Sequence, residues 1–269
     1  MNDTLARIED RVRSYGTNAV LVALSGGVDS AVVTAVSARA RGASNVTAVT
    51  AVSPSYPAGE LETARSLALE IGVTHRVIET HEVEREAYAR NDELRCFHCK
   101  TELYATLSRL AATAGPGVAV LAGANADDLA DVRPGLRAAT QHGVRNPLLE
   151  ENVGKVEVRT IARALGLSVA EKPALACLSS RVAFGLPITP SLLSRVDRAE
   201  QAVRRLGFDS VRVRHRGTAA TIEVPVEDLE RLHDHGALDG VLAELRSLGW
   251  DDVSVDPAGY RQGSLNPTR

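Results

Sequence analysis

The sequence of 269 residues predicts an α/β fold in two parts: a parallel-sheet domain over residues 1–185 and a smaller α+β domain over residues 186–269. Three observations carry this prediction. Short apolar runs rich in β-branched residues alternate with helical patterns through the first two-thirds of the chain. The loop after the first of these runs contains two glycines and opens a helix. After Pro187 the alternation gives way to a long helix and short strands.

In the first domain, strands and helices alternate along the chain. Strands are predicted at Ala19–Leu24, Val46–Val52, Thr74–Ile78 and Val118–Ala122. Helices are predicted at Ala31–Ala40, Glu60–Ile71 and Lys100–Ala112, the first two ending at glycines. Strands that alternate with helices form a parallel sheet covered on both faces. Ligands of such sheets bind beyond the carboxyl ends of the strands.

The second domain is predicted to have the order α-β-β-α-β, with the boundary near residues 182–189. A helix from Pro190 to Leu206 has an apolar stripe and ends at Gly207. The remaining elements are two strands joined by a hairpin across residues 215–218, a helical stretch and a last strand: Ser210–Arg214, Ala220–Val224, Glu227–Leu248 and Asp252–Val255.

Composition narrows the class of protein. Apolar residues make up 44% and charged residues 24%, as in an ordinary globular chain. No apolar run approaches the about 18 residues of a membrane helix, and the N-terminus lacks the pattern of a signal peptide, so the expected location is the cytoplasm. A net charge of −3 argues against general attraction to nucleic acid or anionic lipid. Three cysteines are too few for a disulfide scaffold.

The segment Ser25-Gly26-Gly27-Val28-Asp29-Ser30 follows the first strand and opens a helix. Glycines let backbone N–H groups turn toward an oxyanion, and the N-terminus of a helix adds partial positive charge. The segment is therefore a candidate anion site, an ordinary strand-to-helix turn being the alternative. It lacks the Lys-Ser/Thr pair of a Walker loop, and Lys100, Lys155 and Lys172 are the only lysines of the chain.

Two other segments follow strands at the same edge of the predicted sheet. Ser53-Pro54-Ser55 comes after the second strand, at an edge that commonly receives adenine and ribose; a simple turn is the alternative. The segment that begins at Gly123 follows the fourth strand and is rich in carboxylates. Asp29 and Asp128 are candidate Mg²⁺ ligands, since this ion binds through one or two carboxylates plus substrate phosphates.

The same acidic segment holds further candidates with open alternatives. Asp131 is a further possible Mg²⁺ ligand, and Arg133 would pair with phosphate or brace the loop. Asn125 or Asp127 would cap the next helix, and capping and metal binding are compatible roles.

Cysteines occur at positions 96, 99 and 177. Cys96 and Cys99 form a CxxC pair, which by itself is a weak indication of function. A redox pair is disfavoured because no thioredoxin-like strand precedes it, which leaves half a metal site or two buried thiols. Three thiolates would bind zinc together with a histidine such as His98, or three irons of a 4Fe-4S cluster. Spacing alone does not choose between these.

Two arginine-containing segments are candidate anion sites. Ser179, Ser180 and Arg181 would receive phosphate or provide turn and cap contacts. Arg212 and Arg214 lie on one face of a strand, since strand side chains alternate. Two guanidinium groups on one face fit a phosphate or carboxylate, and a solvated strand face is the alternative.

Taken together, the motifs resemble the LarE family of ATP-dependent sulfur transferases over nearly the whole chain. The motifs are SGGVDS, CFHCKTELY, GANADDLADVRPG, KPALACLSSR, RVRHRG and GYRQGS. SGGVDS is shared by the whole superfamily of PP-loop ATP pyrophosphatases, whereas KPALACLSSR and RVRHRG are more specific. The resemblance implies a PP-loop (adenine nucleotide alpha hydrolase-like) N-terminal domain and a small C-terminal domain for substrate binding or oligomerisation.

The resemblance also implies an activity. The family makes part of the nickel-pincer nucleotide of lactate racemase, from a pyridinium dicarboxylate mononucleotide. ATP adenylates a carboxylate with loss of pyrophosphate, and sulfur then displaces AMP to leave a thiocarboxylate. Implied partners are this nucleotide substrate, sulfide or another sulfur donor, other proteins of pincer-cofactor synthesis, and further copies of the chain, because the family forms hexamers.

The resemblance assigns roles to residues. Ser25, Gly26, Gly27, Asp29 and Ser30 would bind the ATP phosphates, with Asp29 near the metal. Ser53, Gly123 and Asp128 are further nucleotide-binding candidates because of their place at the same edge of the sheet. Ser180, Arg212 and Arg214 would surround the substrate's phosphate, and Glu200 and Glu223 would be additional acidic metal ligands. Arg181 is a further substrate-binding candidate beside Ser180. Some family members sacrifice the cysteine that matches Cys177, which becomes dehydroalanine. Others hold a 4Fe-4S cluster on three cysteines and deliver sulfide from its fourth iron, and Cys96, Cys99 and Cys177 match this second type.

Three alternatives remain at this stage. A tRNA thiolase of the same superfamily is favoured by a basic patch and disfavoured by the net charge. Arg204, Arg205, Arg212, Arg214 and Arg216 make up that patch. In an ammonia-using synthetase, such as an NAD synthetase, the cysteines would be expendable. A nucleotide sensor would bind ATP without releasing pyrophosphate.

Overall fold

The computed structural model describes residues 2–16, 19–129, 134–173 and 176–261. The helices are α1 Asn2–Arg13, α2 Val28–Arg41, α3 Glu60–Ile71, α4 Glu86–Ala89, α5 Arg95–Ala114, α6 Pro134–Gln141, α7 Pro147–Glu150, α8 Lys155–Ala164, α9 Pro190–Arg204, α10 Leu229–His233 and α11 Leu238–Ser247. The strands are β1 Val20–Ala23, β2 Val46–Val52, β3 Thr74–Glu79, β4 Ala119–Leu121, β5 Arg212–Arg216, β6 Ala219–Glu223 and β7 Asp252–Val255.

These elements fall into two compact units. The first takes in the described parts of residues 1–53, 58–82 and 96–175, and the second those of residues 54–57, 83–95 and 176–269. The domain boundary predicted from the sequence, between residues 185 and 186, stays a prediction. None of the helices in the described ranges combines the length and the apolar character that a bilayer crossing requires.

The sheet of the first unit has the order β3-β2-β1-β4 with all neighbouring strands parallel, which confirms the predicted α/β class. Both faces of this sheet are covered. Val20 and Val22 of β1 pack with α1, α2, α3 and α8, whereas Leu21 packs with α5 and α6. Alternate side chains of one strand therefore enter two different cores.

In the second unit, α9 packs on an independent sheet of order β5-β6-β7. β5 and β6 are antiparallel, and β7 pairs with β6 in parallel. The hairpin is tighter than predicted, because Arg216 pairs with Ala219 and leaves a two-residue turn. Gly217 supplies the positive φ, +78°, that such short turns favour.

Two other predicted helices have different bounds. The stretch expected over Glu227–Leu248 is divided into α10 and α11, with Gly236, a poor helix former, in the break. The helix expected from Lys100 begins at Arg95 and therefore contains the CxxC pair.

Candidate functional site

The segment Ser25–Ser30 joins β1 to α2 and closes on itself through its serines. The Ser30 hydroxyl donates to the Gly27 carbonyl at 3.0 Å and accepts from the Ser25 N–H at 3.1 Å. Gly27 is the N-cap of α2 in an extended conformation. The N-terminus of a helix of 14 residues thus opens directly from the loop, which is the geometry of an anion site.

Gly26 is required at its position for two reasons. Its φ of +83° is unfavourable for residues with a Cβ, and a Cβ there would lie 3.1 Å from Glu60 Oε2 and 3.2 Å from the Glu60 carbonyl oxygen. Lys172 reaches the same place: its Nζ donates to both Glu60 carboxylate oxygens, at 2.9 and 2.8 Å, and to the Gly26 carbonyl at 3.2 Å. The loop is therefore bonded to an ion pair beside it.

Gly123 allows the chain leaving β4 to approach the first turn of α2. A Cβ at this glycine would lie 2.7 Å from the Ser30 backbone nitrogen and 2.9 Å from the Asp29 carbonyl carbon. Such distances require a backbone shift. The predicted nucleotide-binding role of Gly123 stays a prediction, while its close approach to the loop is a structural requirement.

Asp29 lies in the first turn of α2 and is held by two side chains. Asn125 Nδ2 donates to Asp29 Oδ1 at 3.0 Å, and Lys155 Nζ donates to Asp29 Oδ2 at 2.5 Å. Asp128 accepts from the Asn125 N–H at 3.1 Å. The two predicted Mg²⁺ ligands are thus linked through Asn125. The candidates Asp131 and Arg133 lie outside the described residues.

Ser53 follows β2 and contacts a buried carboxylate. Its hydroxyl donates to Glu82 Oε1 at 2.5 Å, and Glu82 is 2% exposed. Since the strands are parallel, Ser53 lies at the edge where the Ser25–Ser30 loop leaves β1. Its contact with a nucleotide stays a prediction.

The cysteines are distributed over both units. Cys96 and Cys99 are one helical turn apart at the start of α5, Cys96 exposed and Cys99 half-buried. Cys177, also half-buried, is the N-cap of a 3₁₀ turn over Leu178–Arg181 in the second unit. All three thiols are free of disulfides. In the described ranges, no three or more His, Cys, Asp or Glu side chains are grouped so as to hold a metal ion.

Arg181 fixes the turn that carries Cys177. Its Nη1 donates to the carbonyls of Ala176 and Cys177 at 2.6 and 3.0 Å. Its Nε and Nη2 donate to the two oxygens of Glu200 at 2.8 and 3.2 Å, and both side chains are fully buried. Every nitrogen of this guanidinium is therefore engaged, and its predicted contact with substrate stays a prediction.

Glu200, a predicted metal ligand, accepts from further donors. Arg204 Nη2 lies 2.9 Å from Oε2, and the Val213 N–H lies 3.1 Å from Oε1. Burial opposes the charge of this carboxylate, but the nearby arginines, Arg181 foremost, hold its pKa below the ordinary value. Metal binding by Glu200 would require the displacement of such donors and stays a prediction.

Arg212 and Arg214 lie on one face of β5, as the alternation of strand side chains predicts, but they are buried. Arg214 donates to Glu223 Oε2 at 2.8 Å and to the Ser180 carbonyl at 3.0 Å, and both guanidinium groups lie over the Tyr260 ring. Burial, followed by the charge of Arg181, lowers the pKa of Arg212 to about 10.

Guanidinium groups outnumber carboxylates among these side chains. Three buried guanidinium groups and a partly exposed one lie near two buried carboxylates in this region of the second unit. The groups are those of Arg181, Arg204, Arg212, Arg214, Glu200 and Glu223. Guanidinium groups bind phosphate and carboxylate groups in general, and the predicted substrate contact of Arg212 and Arg214 stays a prediction.

Most arginines of the basic patch that favoured an RNA partner form ion pairs or are buried. Arg204 pairs with Glu200, Arg205 pairs with Glu244 at 2.8 Å, and Arg212 and Arg214 are buried. Of the five arginines, Arg216 alone is exposed without an ion pair in the part of the chain that the structure describes. This arrangement does not form a basic surface for nucleic acid.

Sequence reasoning did not assign roles to Lys155, Lys172, Glu60 or Glu82. The scarcity of lysine is the feature of the sequence that could have indicated Lys155 and Lys172, because only three of the 31 basic residues are lysines. In the structure, these two contact one loop.

Comparison with known proteins identifies similar chains. Residues 1–102, which include the Ser25–Ser30 loop and the CxxC pair, match the NAD synthase family. A protein of Synechocystis described as uncharacterized is 42% identical over 262 residues, 97% of either chain. The pyridinium-3,5-bisthiocarboxylic acid mononucleotide synthase of Lactiplantibacillus plantarum is 36% identical over 250 residues, 93% of this chain and 89% of that enzyme. An uncharacterized protein of Methanocaldococcus jannaschii is 27% identical over 64% of this chain and 66% of its own length.

Proposed function

Because this chain belongs to the LarE family of PP-loop ATP-dependent sulfur transferases, we propose that it converts a carboxylate of a pyridinium dicarboxylate mononucleotide into a thiocarboxylate. The observation that carries the proposal is the Ser25–Ser30 loop at the N-terminus of α2, within a chain 36% identical to a synthase of a pyridinium bisthiocarboxylate. The second candidate function, tRNA thiolation, requires a basic surface for RNA. The five arginines considered for this role do not form such a surface among the described residues.

The chemistry begins with activation of the carboxylate. A carboxylate oxygen attacks the α-phosphorus of ATP, the bond from that phosphorus to the α–β bridging oxygen breaks, and pyrophosphate leaves with the electron pair. Sulfur then attacks the acyl carbon and AMP departs. Backbone N–H groups at the start of α2 stabilise the charge that builds on the departing pyrophosphate.

The carboxylates near the loop suit Mg²⁺. Asp29 Oδ2 already contacts a cation, the Lys155 ammonium, and Asp128 is linked to Asp29 through Asn125. Asp29 and Asp128 would hold the ion, which would supply further charge neutralisation to the pyrophosphate.

The substrate's phosphate would be bound in the second unit. Ser180, Arg212 and Arg214 would bind it, where buried guanidinium groups outnumber carboxylates. Arg181, which is paired with Glu200, holds the turn of Cys177 and donates to the Ser180 hydroxyl at 3.0 Å.

The sulfur would come from a 4Fe-4S cluster on Cys96, Cys99 and Cys177. The proposal is supported by the chemistry of the three residues, because thiolates are the usual ligands of such a cluster and none of the three is in a disulfide or fully buried. The cluster would supply the sulfur atom without consumption of a cysteine. In the alternative form of the reaction, Cys177 itself is the sacrificial donor.

The protein is further proposed to act as a homo-hexamer in the cytoplasm, beside the other proteins of pincer-cofactor synthesis. Light scattering on the purified protein tests the oligomeric state.

The first experiment measures iron, zinc and acid-labile sulfide in protein purified without oxygen. We expect about four irons and at least about four sulfides per chain, lost in Cys99→Ala. His98→Ala is the matched control: it keeps a cluster held by thiolates alone but loses zinc held by three cysteines and this histidine. Zinc in the wild type, or no metal in it, contradicts the cluster.

A second measurement separates the proposed enzyme from a nucleotide sensor. Pyrophosphate release from ATP is expected to depend on the added carboxylate substrate. ATP binding without such release would contradict the proposed reaction.

A further inference from the structure

The Ser25–Ser30 loop has a charge requirement that its own residues do not meet. A helix N-terminus contributes about half a unit of positive charge, much less than a triphosphate carries. A Walker loop meets this requirement with its lysine, which the present loop lacks. A Mg²⁺ ion and the helix N-terminus together still leave negative charge on a triphosphate, which a cation from elsewhere in the chain would neutralise.

Two lysines of the chain reach this loop. The chain has 31 basic residues, of which Lys100, Lys155 and Lys172 are the lysines. Lys155 and Lys172 both place their ammonium groups on residues of the loop or of its first helical turn. A lysine offers a compact point charge with three donors, whereas arginine offers a wide planar fork. At two positions next to this loop, the chain has the compact group.

Lys172 has no capacity left for a ligand. Its three ammonium hydrogens match the three acceptors within reach, the two Glu60 oxygens and the Gly26 carbonyl. It neutralises a carboxylate next to the loop and holds Gly26. Lys172 is therefore a positioning residue.

Lys155 differs in this respect. Its Nζ forms one hydrogen bond within the described parts of the chain, to Asp29 Oδ2 at 2.5 Å. Two ammonium hydrogens remain for a ligand, and the side chain is 30% exposed. Asp29, its partner, belongs to the first turn of the anion-binding helix.

The backbone of Lys155 is fixed as well. Its N–H donates to Asp127 Oδ2 at 2.9 Å, and Gly154 lies so close that a Cβ would be 3.0 Å from Asp127 Oδ1. The start of α8 is thus bonded to the acidic segment after β4, which holds the ammonium at the loop.

We propose that Lys155 is a catalytic residue that binds the β- and γ-phosphates of ATP and neutralises the departing pyrophosphate. This proposal rests on the proposed function. As the bond from the α-phosphorus to the bridging oxygen breaks, the electron pair goes to pyrophosphate, and the fixed ammonium donates hydrogen bonds to its oxygens without losing a proton.

Calorimetric binding to the full-length protein tests the proposal. With Mg²⁺ present, Lys155→Met is expected to bind pyrophosphate and α,β-methylene-ATP at least about tenfold more weakly than the wild type, because a charge-assisted hydrogen bond is lost. AMP, which lacks these phosphates, should bind within about twofold, whereas a merely structural role would weaken AMP as well. Arg163→Ala removes one positive charge from an exposed ion pair of the same helix and should leave all three affinities unchanged.

A second measurement uses the wild type and does not depend on the folding of a variant. Amine acetylation followed by mass spectrometry can resolve all three lysines. Pyrophosphate should slow the acetylation of Lys155 and leave the acetylation rate of Lys100 unchanged. Lys172 should react slowly both with and without pyrophosphate. Pyrophosphate binding to Lys155→Met at wild-type affinity, or no protection of Lys155, overturns the proposal. A wild type that binds no ATP analogue instead contradicts the proposed function itself.

Discussion

At the scale of single residues, Gly123 is defined by the space it leaves. A methyl group there would meet the Ser30 nitrogen and the Asp29 carbonyl carbon of the neighbouring turn. We expect Gly123→Ala to lower the free energy of unfolding by about 1–3 kcal/mol, because backbone has to shift, and to weaken binding of an ATP analogue. Urea denaturation and calorimetry provide the measurements.

Gly240 provides the matched control for this substitution. It lies in α11, where a Cβ would meet open space and no left-handed φ is required. Gly240→Ala should raise the free energy of unfolding by about 0.5–1 kcal/mol and leave nucleotide binding unchanged. Equal effects of the two substitutions would show that the approach of β4 to the loop is not constrained.

A second residue-scale prediction concerns the only tryptophan of the chain. Trp250 Nε1 donates to His215 Nδ1 at 2.9 Å in the buried part of the second unit, so this imidazole nitrogen is an acceptor. Burial, followed by the charge of Arg195, lowers the pKa of His215 below its ordinary value of 6.5. The unfolded chain therefore binds the proton first as the pH falls.

The contribution of His215 to the free energy of unfolding is therefore fully present above about pH 6.5. It is lost as the pH falls through that value toward the lower pKa of the folded state. Unfolding followed by Trp250 fluorescence should give a smaller free energy of unfolding at pH 5.5 than at pH 7.5. His215→Gln, which has no group that titrates in this range, should show a smaller pH dependence. An equal loss in both proteins would assign the effect to other groups.

At the scale of elements, the sequence pattern predicts the helices and strands whose bounds depend on neighbouring residues. The predicted strand at Val46–Val52 has the bounds of β2, and the other parallel strands differ from their predictions by one residue at one or both ends. The break between α10 and α11 and the tighter hairpin depend on single glycines within otherwise regular patterns. The contact of Lys155 with Asp29 joins residues 126 positions apart, which no local pattern reports.

Helix α1 was not predicted, although Leu5, Ile8 and Val12 repeat with helical spacing. Its side chains Ile8 and Val12 are fully buried in the core of the first unit. Ile8→Ala should lower the free energy of unfolding by about 2–5 kcal/mol in urea, since it removes buried methyl groups and leaves a cavity. Leu69→Ala on α3, where the side chain is 83% exposed, should change it by less than about 0.5 kcal/mol. Similar values for both would mean that α1 is not part of the cooperative core.

At the scale of the whole molecule, the proposed reaction draws on both units. The Ser25–Ser30 loop and the CxxC pair belong to the first unit, and Cys177 and the buried arginines belong to the second. The type of sulfur donor determines how many products one protein molecule can form. A reusable sulfur carrier permits many turnovers, whereas a sacrificial cysteine permits one.

That number is the last prediction. With a sulfide source and reductant, the wild type should form several thiocarboxylates per chain. Cys96→Ser/Cys99→Ser retains Cys177 and should form at most one, since elimination of sulfur from that residue breaks its Cβ–S bond, removes the Cα proton and leaves dehydroalanine. Mass spectrometry of the spent protein detects this loss of the elements of H₂S, and Cys177→Ser should form no product at all. Repeated turnover by the double variant would show that the CxxC pair is dispensable, whereas a single turnover by the wild type with dehydroalanine at residue 177 would assign the sacrificial reaction to this chain.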